Sequence, residues 1–192
     1  MRSIVDVSPV PRGACLGAAS AKEQQTPDTS DRLDVTVNCR FVNLVSQEGD
    51  FVDDRLAERV AAAMWAEDAA SVGLGMRIVD VGAGRATVEM TIRDDMVNGH
   101  GMAHGGFVFA LADSAFSFAC NSGNVTTVAQ ACDIVFVAPA QRGDVLVAEA
   151  VGRASYGRNG IYDVTVRCGD QLIAEFRGRS RQIGGTIVEE HA

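Results

Sequence analysis

Two periodicities share the chain between residues 53 and 181. From Asp53 to Ala70 there is no Gly or Pro, and Leu56, Val60 and Met64 recur at four-residue spacing. That spacing predicts an amphipathic surface helix, capped by Asp53 or Asp54 and ended by Gly73. From Phe107 to Cys120 the chain is apolar on nearly every helical face, through Phe107, Val108, Phe109, Leu111, Phe116 and Phe118. A helix apolar all round is a buried helix. The other segments are rich in β-branched residues and predict six strands, over 76–80, 85–92, 127–137, 145–155, 161–168 and 172–181. Period-two alternation is clearest in Tyr162-Asp163-Val164-Thr165-Val166, and Gly82-Ala83-Gly84 supplies a hairpin turn. That Gly-x-Gly is not a dinucleotide fingerprint, because Thr87 stands at the third glycine position and a strand follows. One long buried helix against five to six mainly antiparallel strands predicts an α+β fold.

Residues 1–50 read differently. They hold three of the four prolines, the polar stretch 20–32 and only short apolar bursts, and are expected to form a poorly ordered extension. A folded domain is expected over 51–185, with 186–192 as a tail. No apolar run approaches the roughly 20 residues that a membrane helix needs. Pro9, Pro11 and Gly13 break any leader-like apolar run, so a cytoplasmic protein is expected.

The formal net charge is -8, which opposes nucleic-acid binding. All of the acidic excess lies in residues 1–140. A smaller anion could still meet a local group among Arg142, Arg153, Arg158, Arg177, Arg179 and Arg181. The five cysteines, Cys15, Cys39, Cys120, Cys132 and Cys168, are widely spaced with no Cys-x-x-Cys, which predicts reduced thiols buried in the core.

Asp113 is the only charge on the apolar helix, and no Lys or Arg occurs from Phe107 to Val137. A carboxylate in such surroundings is costly to ionise, and such groups gather at functional sites. Alternatively it faces water or accepts from Ser114 or Ser117. Ser117, four residues on, shares its helical face. The loop Asn98-Gly-His-Gly-Met-Ala-His-Gly-Gly106 leads into the helix. The N–H groups of Gly105 and Gly106 therefore stand at its positive end, bare enough for a carbonyl oxygen to approach. Such a site can hold the oxyanion of an attacked carbonyl, although the glycines could equally serve only close packing. Gly105 and Asp113 are eight residues apart, about 12 Å along one helix and about 80° around it. They cannot grip one small group within a chain. Two such helices running antiparallel across a two-fold axis would bring them together. His100 and His104 have zinc-like spacing, but glycines surround them and Gly101 stands where a zinc hydrolase needs Glu, so no metal is expected.

The run from Asn98 through Asp113 to Ser117, with Trp65, Gly75-Met-Arg-Ile-Val-Asp-Val, Ala138-Pro-Ala-x-x-Gly-Asp-Val-Leu, Gly160-Ile-Tyr-Asp-Val and Ala174-Glu-Phe-Arg-Gly-Arg-Ser, closely resembles the hotdog-fold acyl-CoA thioesterases of phenylacetate degradation. The resemblance covers about residues 53–184. It implies hydrolysis of acyl-CoA thioesters, with aryl-acetyl groups preferred. Asp113 would be the nucleophile or general base, and the Gly105 N–H, with Gly106 and His104 beside it, would polarise the thioester carbonyl. Asn98 would position substrate or water, and Ser117 would assist. Coenzyme A would arrive as part of the substrate, not as a cofactor, and bind at a subunit interface of a homotetramer built from dimers. Arg142 and Arg158, flanking the fourth strand, are candidates for its phosphates. Ala103 stands where close relatives usually carry Cys, which should hardly touch the chemistry, and Val135 where they commonly carry a polar residue, which alters local substrate contacts, so the exact acyl preference is not simply inherited. An enoyl-CoA hydratase on the same fold, or a non-catalytic acyl-CoA-binding protein, are the alternatives.

Overall fold

The computed structural model describes residues 53–189, and the expected N-terminal extension lies outside them. Helix α1 spans Asp54–Glu67, and the Asp53 side chain caps it by accepting from the Arg55 N–H. It buries Ala57, Val60 and Ala61, while Leu56 and Met64 are half-buried at the edge of that stripe. The helix ends sooner than its spacing predicts. Asp68 accepts from the Ser71 N–H at 2.9 Å and starts a short second helix, α2 (Ala69–Gly73). A side chain that caps so well competes with the helix interior.

The strands are β1 (Met76–Gly82), β2 (Arg85–Thr91), β3 (Thr127–Phe136), β4 (Val145–Tyr156), β5 (Asn159–Cys168) and β6 (Gln171–Gln182). They form one sheet in the order β1-β2-β4-β5-β6-β3, every pair antiparallel. Helix α3 (Gly105–Asn121) lies across one face of this sheet, giving the hotdog arrangement.

Small residues on the sheet let the helix come close. Ala86, Ala148, Ala150 and Ala174 are fully buried beneath it. At Gly178, a Cβ would stand 2.7 Å from the ring of Phe116. Phe116 meets Tyr162 at 5.6 Å and Phe176 at 5.9 Å between ring centroids, and Trp65 of α1 reaches Phe118 at 6.0 Å. Gly160 lies inside β5 instead of ending it, paired with Ser155 and Ser180, and a Cβ there would stand 2.8 Å from Ser180 Oγ and 2.9 Å from the Tyr162 ring.

On the opposite face charges pair with one another. Asp163 accepts from Arg153 at 3.0 Å and from Arg177 at 2.6 Å, and Arg179 pairs with Asp133. Arg177, and then Arg153, hold the Asp163 carboxyl below the usual carboxylate range. Three of the arginines expected to be available to an anion are therefore committed to carboxylates.

The residues after β6 are pinned down. Asn124, in the left-handed region at φ 59°, accepts from the N–H groups of Ile187 and Val188 and donates to the Val188 carbonyl, while Arg59 donates to the Glu189 carbonyl. Strand β3 is one of the sheet's two edges, β1 being the other. Its outer backbone groups have no strand partner among the described residues, and Val128, Val135 and Phe136 are exposed.

Candidate active site

Asn98 shapes the glycine loop. Its Oδ1 accepts from the N–H groups of His100 (2.9 Å) and Met102 (3.3 Å), and its backbone N–H donates to the Met102 carbonyl. With Gly101 at φ 77°, this folds the segment back on itself. Two N–H donors to one side-chain oxygen fix which way the carboxamide faces, leaving its NH2 pointing away from the turn. Ala103 then donates to the Ala140 carbonyl and His104 to the Met96 carbonyl, which aims the chain into α3.

His104 is the N-cap of α3, its Nδ1 accepting from the Gly106 N–H at 3.0 Å. This alters the expected pair of bare amides. Gly106 is occupied by the cap, whereas the Gly105 N–H has no partner among the described residues. As the first helical residue Gly105 also carries the positive end of the dipole. With Nδ1 accepting, the proton of a neutral His104 ring sits on Nε2. The helix begins at Gly105, where the glycine loop predicts it, and the His104 imidazole does the work of the usual Ser or Asp cap.

Asp113 lies two turns along α3, half-buried, with no cation within salt-bridge distance among the described residues. Burial pushes its carboxyl above the ordinary value, and the Cys132 thiol, donating at 3.9 Å, opposes that rise. Cys120, below it, is pushed up to about 12 by burial and then by the Asp113 charge. Cys120, Cys132 and Cys168 are free thiols, only partly buried where full burial is expected from the sequence. Asp113, Ser117, Cys120 and Val128 line a recess of about 210 Å³.

Gly105 opens on a different recess, of about 350 Å³, and no residue lines both. Its wall includes Phe136, whose ring lies so close that a Cβ on Gly105 would be 3.0 Å from Cζ. Within one protomer the carboxylate and the bare amide therefore do not converge, as their spacing requires.

Arg142 is exposed, 3.5 Å from Asp94, and lines a polar recess with Gly101 and Gln141 beside the glycine loop. Arg158 sits in the β4–β5 turn, its carbonyl accepting from Gln182. The 12 residues of β4 separate the two arginines, roughly 35–40 Å. They do not meet on one anion within a protomer. Val135 is 64% exposed and lies on the outer face, away from both recesses on the helix side. Among the described residues no three His, Cys, Asp or Glu side chains cluster as a metal site, and no helix is long and apolar enough to cross a membrane.

Sequence reasoning missed Phe136 and the role of Cys132. Alternation along β3 puts 132, 134 and 136 on one face, but only the pairing with β6 fixes that face toward α3.

Comparison with known proteins narrows the chemistry. The profile of the thioesterase superfamily matches residues 100–175. The acyl-coenzyme A thioesterase PaaI of Escherichia coli is 44% identical over 131 residues, covering 68% of this chain and 94% of that protein. The solved structure of E. coli PaaI, from the phenylacetic acid degradation operon, superposes with a TM-score of 0.68 at 42% identity, over 69% of this chain and 97% of that one. A mutant of the phenylacetic acid degradation protein PaaI from Thermus thermophilus superposes with a TM-score of 0.57 at 34% identity, over 59% of this chain and 97% of that one.

Proposed function

This chain belongs to the thioesterase superfamily, in the family of the acyl-CoA thioesterase PaaI, and from that premise we propose that it hydrolyses aryl-acetyl-CoA at sites shared between two subunits. It is an acyl-CoA thioesterase: water and the thioester give the free acid and CoA. The observation that carries the site is the Gly105 N–H at the start of α3, without a partner among the described residues, matched two turns later by a half-buried carboxylate with no cation beside it among those residues. The amide, at the helix's positive end, polarises the thioester carbonyl and receives its negative charge as the carbon is attacked. The Asp113 carboxylate either takes a proton from the attacking water or attacks first, forming an anhydride that water then opens. The CoA sulfur leaves and is protonated to the thiol.

The edge strand supports the shared site. Strand β3 runs opposite to α3, so Cys132 lies beside Asp113, and Phe136 lies beside Gly105. Pairing β3 with its own copy about Ile134 sets Cys132 opposite Phe136 of the partner subunit. That register carries Asp113 toward Gly105 of the partner subunit, twice per dimer. It also covers the exposed edge. Arg142, beside the glycine loop, and Arg158, in the β4–β5 turn, are separate candidates for the CoA phosphates, because the sheet order keeps β4 of the two subunits seven strand spacings apart. Asn98 directs its free NH2, and Ser117 its hydroxyl, to the water or the carbonyl. We assign the enzyme to the cytoplasm, as a tetramer of two such dimers.

The test is free-thiol release from phenylacetyl-CoA, hydroxyphenylacetyl-CoA and short-chain acyl-CoAs. Aryl-acetyl substrates are expected to show the highest kcat/KM, and Asp113→Asn to lower kcat far more than KM. Absence of turnover on every thioester, or loss of the enoyl absorbance of crotonyl-CoA without thiol release, would contradict hydrolysis.

A further inference from the structure

We infer that the apolar recess beside Gly105 holds the acyl group of the thioester and that Phe136 is its specificity-determining wall. This rests on the hydrolysis proposed above and adds where the acyl group lies.

Two recesses flank the glycine loop, and they differ in chemistry. The one shared by Gly101 carries Asp94, Gln141 and Arg142. Within the protomer, the one opening at Gly105 is walled by Met102, Val108, Phe136, Pro139 and Ile173, with no charged side chain and no side-chain hydrogen-bonding group. The pantetheine arm has two amides and the nucleotide end carries phosphates. Buried against such walls, those groups would lose water without side-chain replacement. A hydrocarbon or aryl group gains by the same burial. The thioester has two ends, and the chemistry sorts them: CoA toward the Arg142 side, acyl group toward Phe136. At about 350 Å³ the recess is of the size that encloses small ligands.

Phe136 decides what fits. Its Cζ lies 3.0 Å from where a Cβ on Gly105 would stand, so the ring rests on the backbone whose N–H holds the carbonyl oxygen. Whatever hangs from the carbonyl carbon meets that ring within a bond or two. An aryl-acetyl group places its own ring there, where aromatic pairs attract beyond simple burial. A long linear chain gains no such contact and runs into the ring. Phe136 is 52% exposed in the single protomer and lies at the proposed β3 seam, so shortening it alters the recess without hollowing the protomer's core.

The experiment compares wild type with Phe136→Ala and Phe136→Leu on phenylacetyl-, hexanoyl- and decanoyl-CoA by thiol release. The ratio of kcat/KM for phenylacetyl- over decanoyl-CoA is expected to fall roughly tenfold or more in Phe136→Ala, and less in Phe136→Leu, with affinity for free CoA unchanged. Ketone analogues of the same three substrates, with a methylene between sulfur and carbonyl, give the comparison by Kd without turnover. An unchanged ratio, or a uniform change on all three acyl groups, would overturn the assignment and leave hydrolysis intact. Wild type that binds the analogues with this selectivity yet releases no thiol would defeat the hydrolysis reading instead. Should Phe136→Ala not fold, Phe136→Leu and the analogue affinities decide.

Discussion

The Cys132 thiol donates to Asp113 Oδ1 at 3.9 Å. Two influences on the carboxyl compete there: burial raises its pKa, and the thiol, by favouring the ionised form, lowers it, with burial the larger. Asp113 acts as base or nucleophile only when ionised. Activity should therefore fall as pH drops through a value above the ordinary carboxylate range. Cys132→Ala removes the opposing donor and should move this acid limb of kcat/KM further up, while Cys132→Ser, which keeps a donor, should move it less. Identical limbs in all three proteins would show that the thiol has no hold on the carboxylate.

The same burial has a sign in stability. A carboxyl whose folded pKa lies above its unfolded value destabilises the protein when ionised, at pH above the folded value, and that penalty disappears as pH falls below the unfolded value. Asp113→Asn should consequently melt at a higher temperature than wild type at neutral pH while losing activity. The difference should shrink as pH falls through the folded pKa. Melting curves at neutral and acidic pH check this, and a lower melting temperature for Asp113→Asn at neutral pH would contradict it.

His104 caps α3 through Nδ1. His104→Ala should cost about 1 kcal/mol in urea unfolding, in line with other lost caps, and His104→Asn should recover most of it. If both variants unfold alike, imidazole is not acting as the cap.

Gly178 faces the ring of Phe116 at a distance no Cβ tolerates. Gly178→Ala should destabilise by about 1–3 kcal/mol, since both partners are buried and the helix must shift. Gly99→Ala, with nothing within 4 Å of the added carbon, should leave unfolding nearly unchanged.

Much of this was legible before any coordinates. Alternation and β-branched runs located all six strands, and the lone Asp113 in an apolar helix pointed to the site, because one charge among hydrocarbons is visible without a fold. What escaped depends on contacts between distant segments or on side chains in unusual roles. Asp68 breaks a run that has no Gly or Pro. Asn124 pins residues 63 and 64 positions further on. The ring of Phe136 reaches Gly105 only because β3 returns alongside α3 in the opposite direction. Arg142 and Arg158 look alike as loop arginines, and only the length of the strand between them shows that they sit at opposite ends.

The claim on which the mechanism depends is that Asp113 works against Gly105 of the partner subunit. Gly105→Pro removes the critical N–H at a position where helices accept proline and also pushes aside the Phe136 ring of the same site, and the extended His104 before it (φ -68°, ψ 130°) is a backbone that tolerates a following proline. Asp113→Asn and Gly105→Pro should each be inactive alone. Refolded together, half of the dimers are mixed, and each of those holds one site free of both changes, so thiol release should recover to about a quarter of wild type. A mixture that forms mixed dimers yet stays as inactive as its components would contradict the shared site.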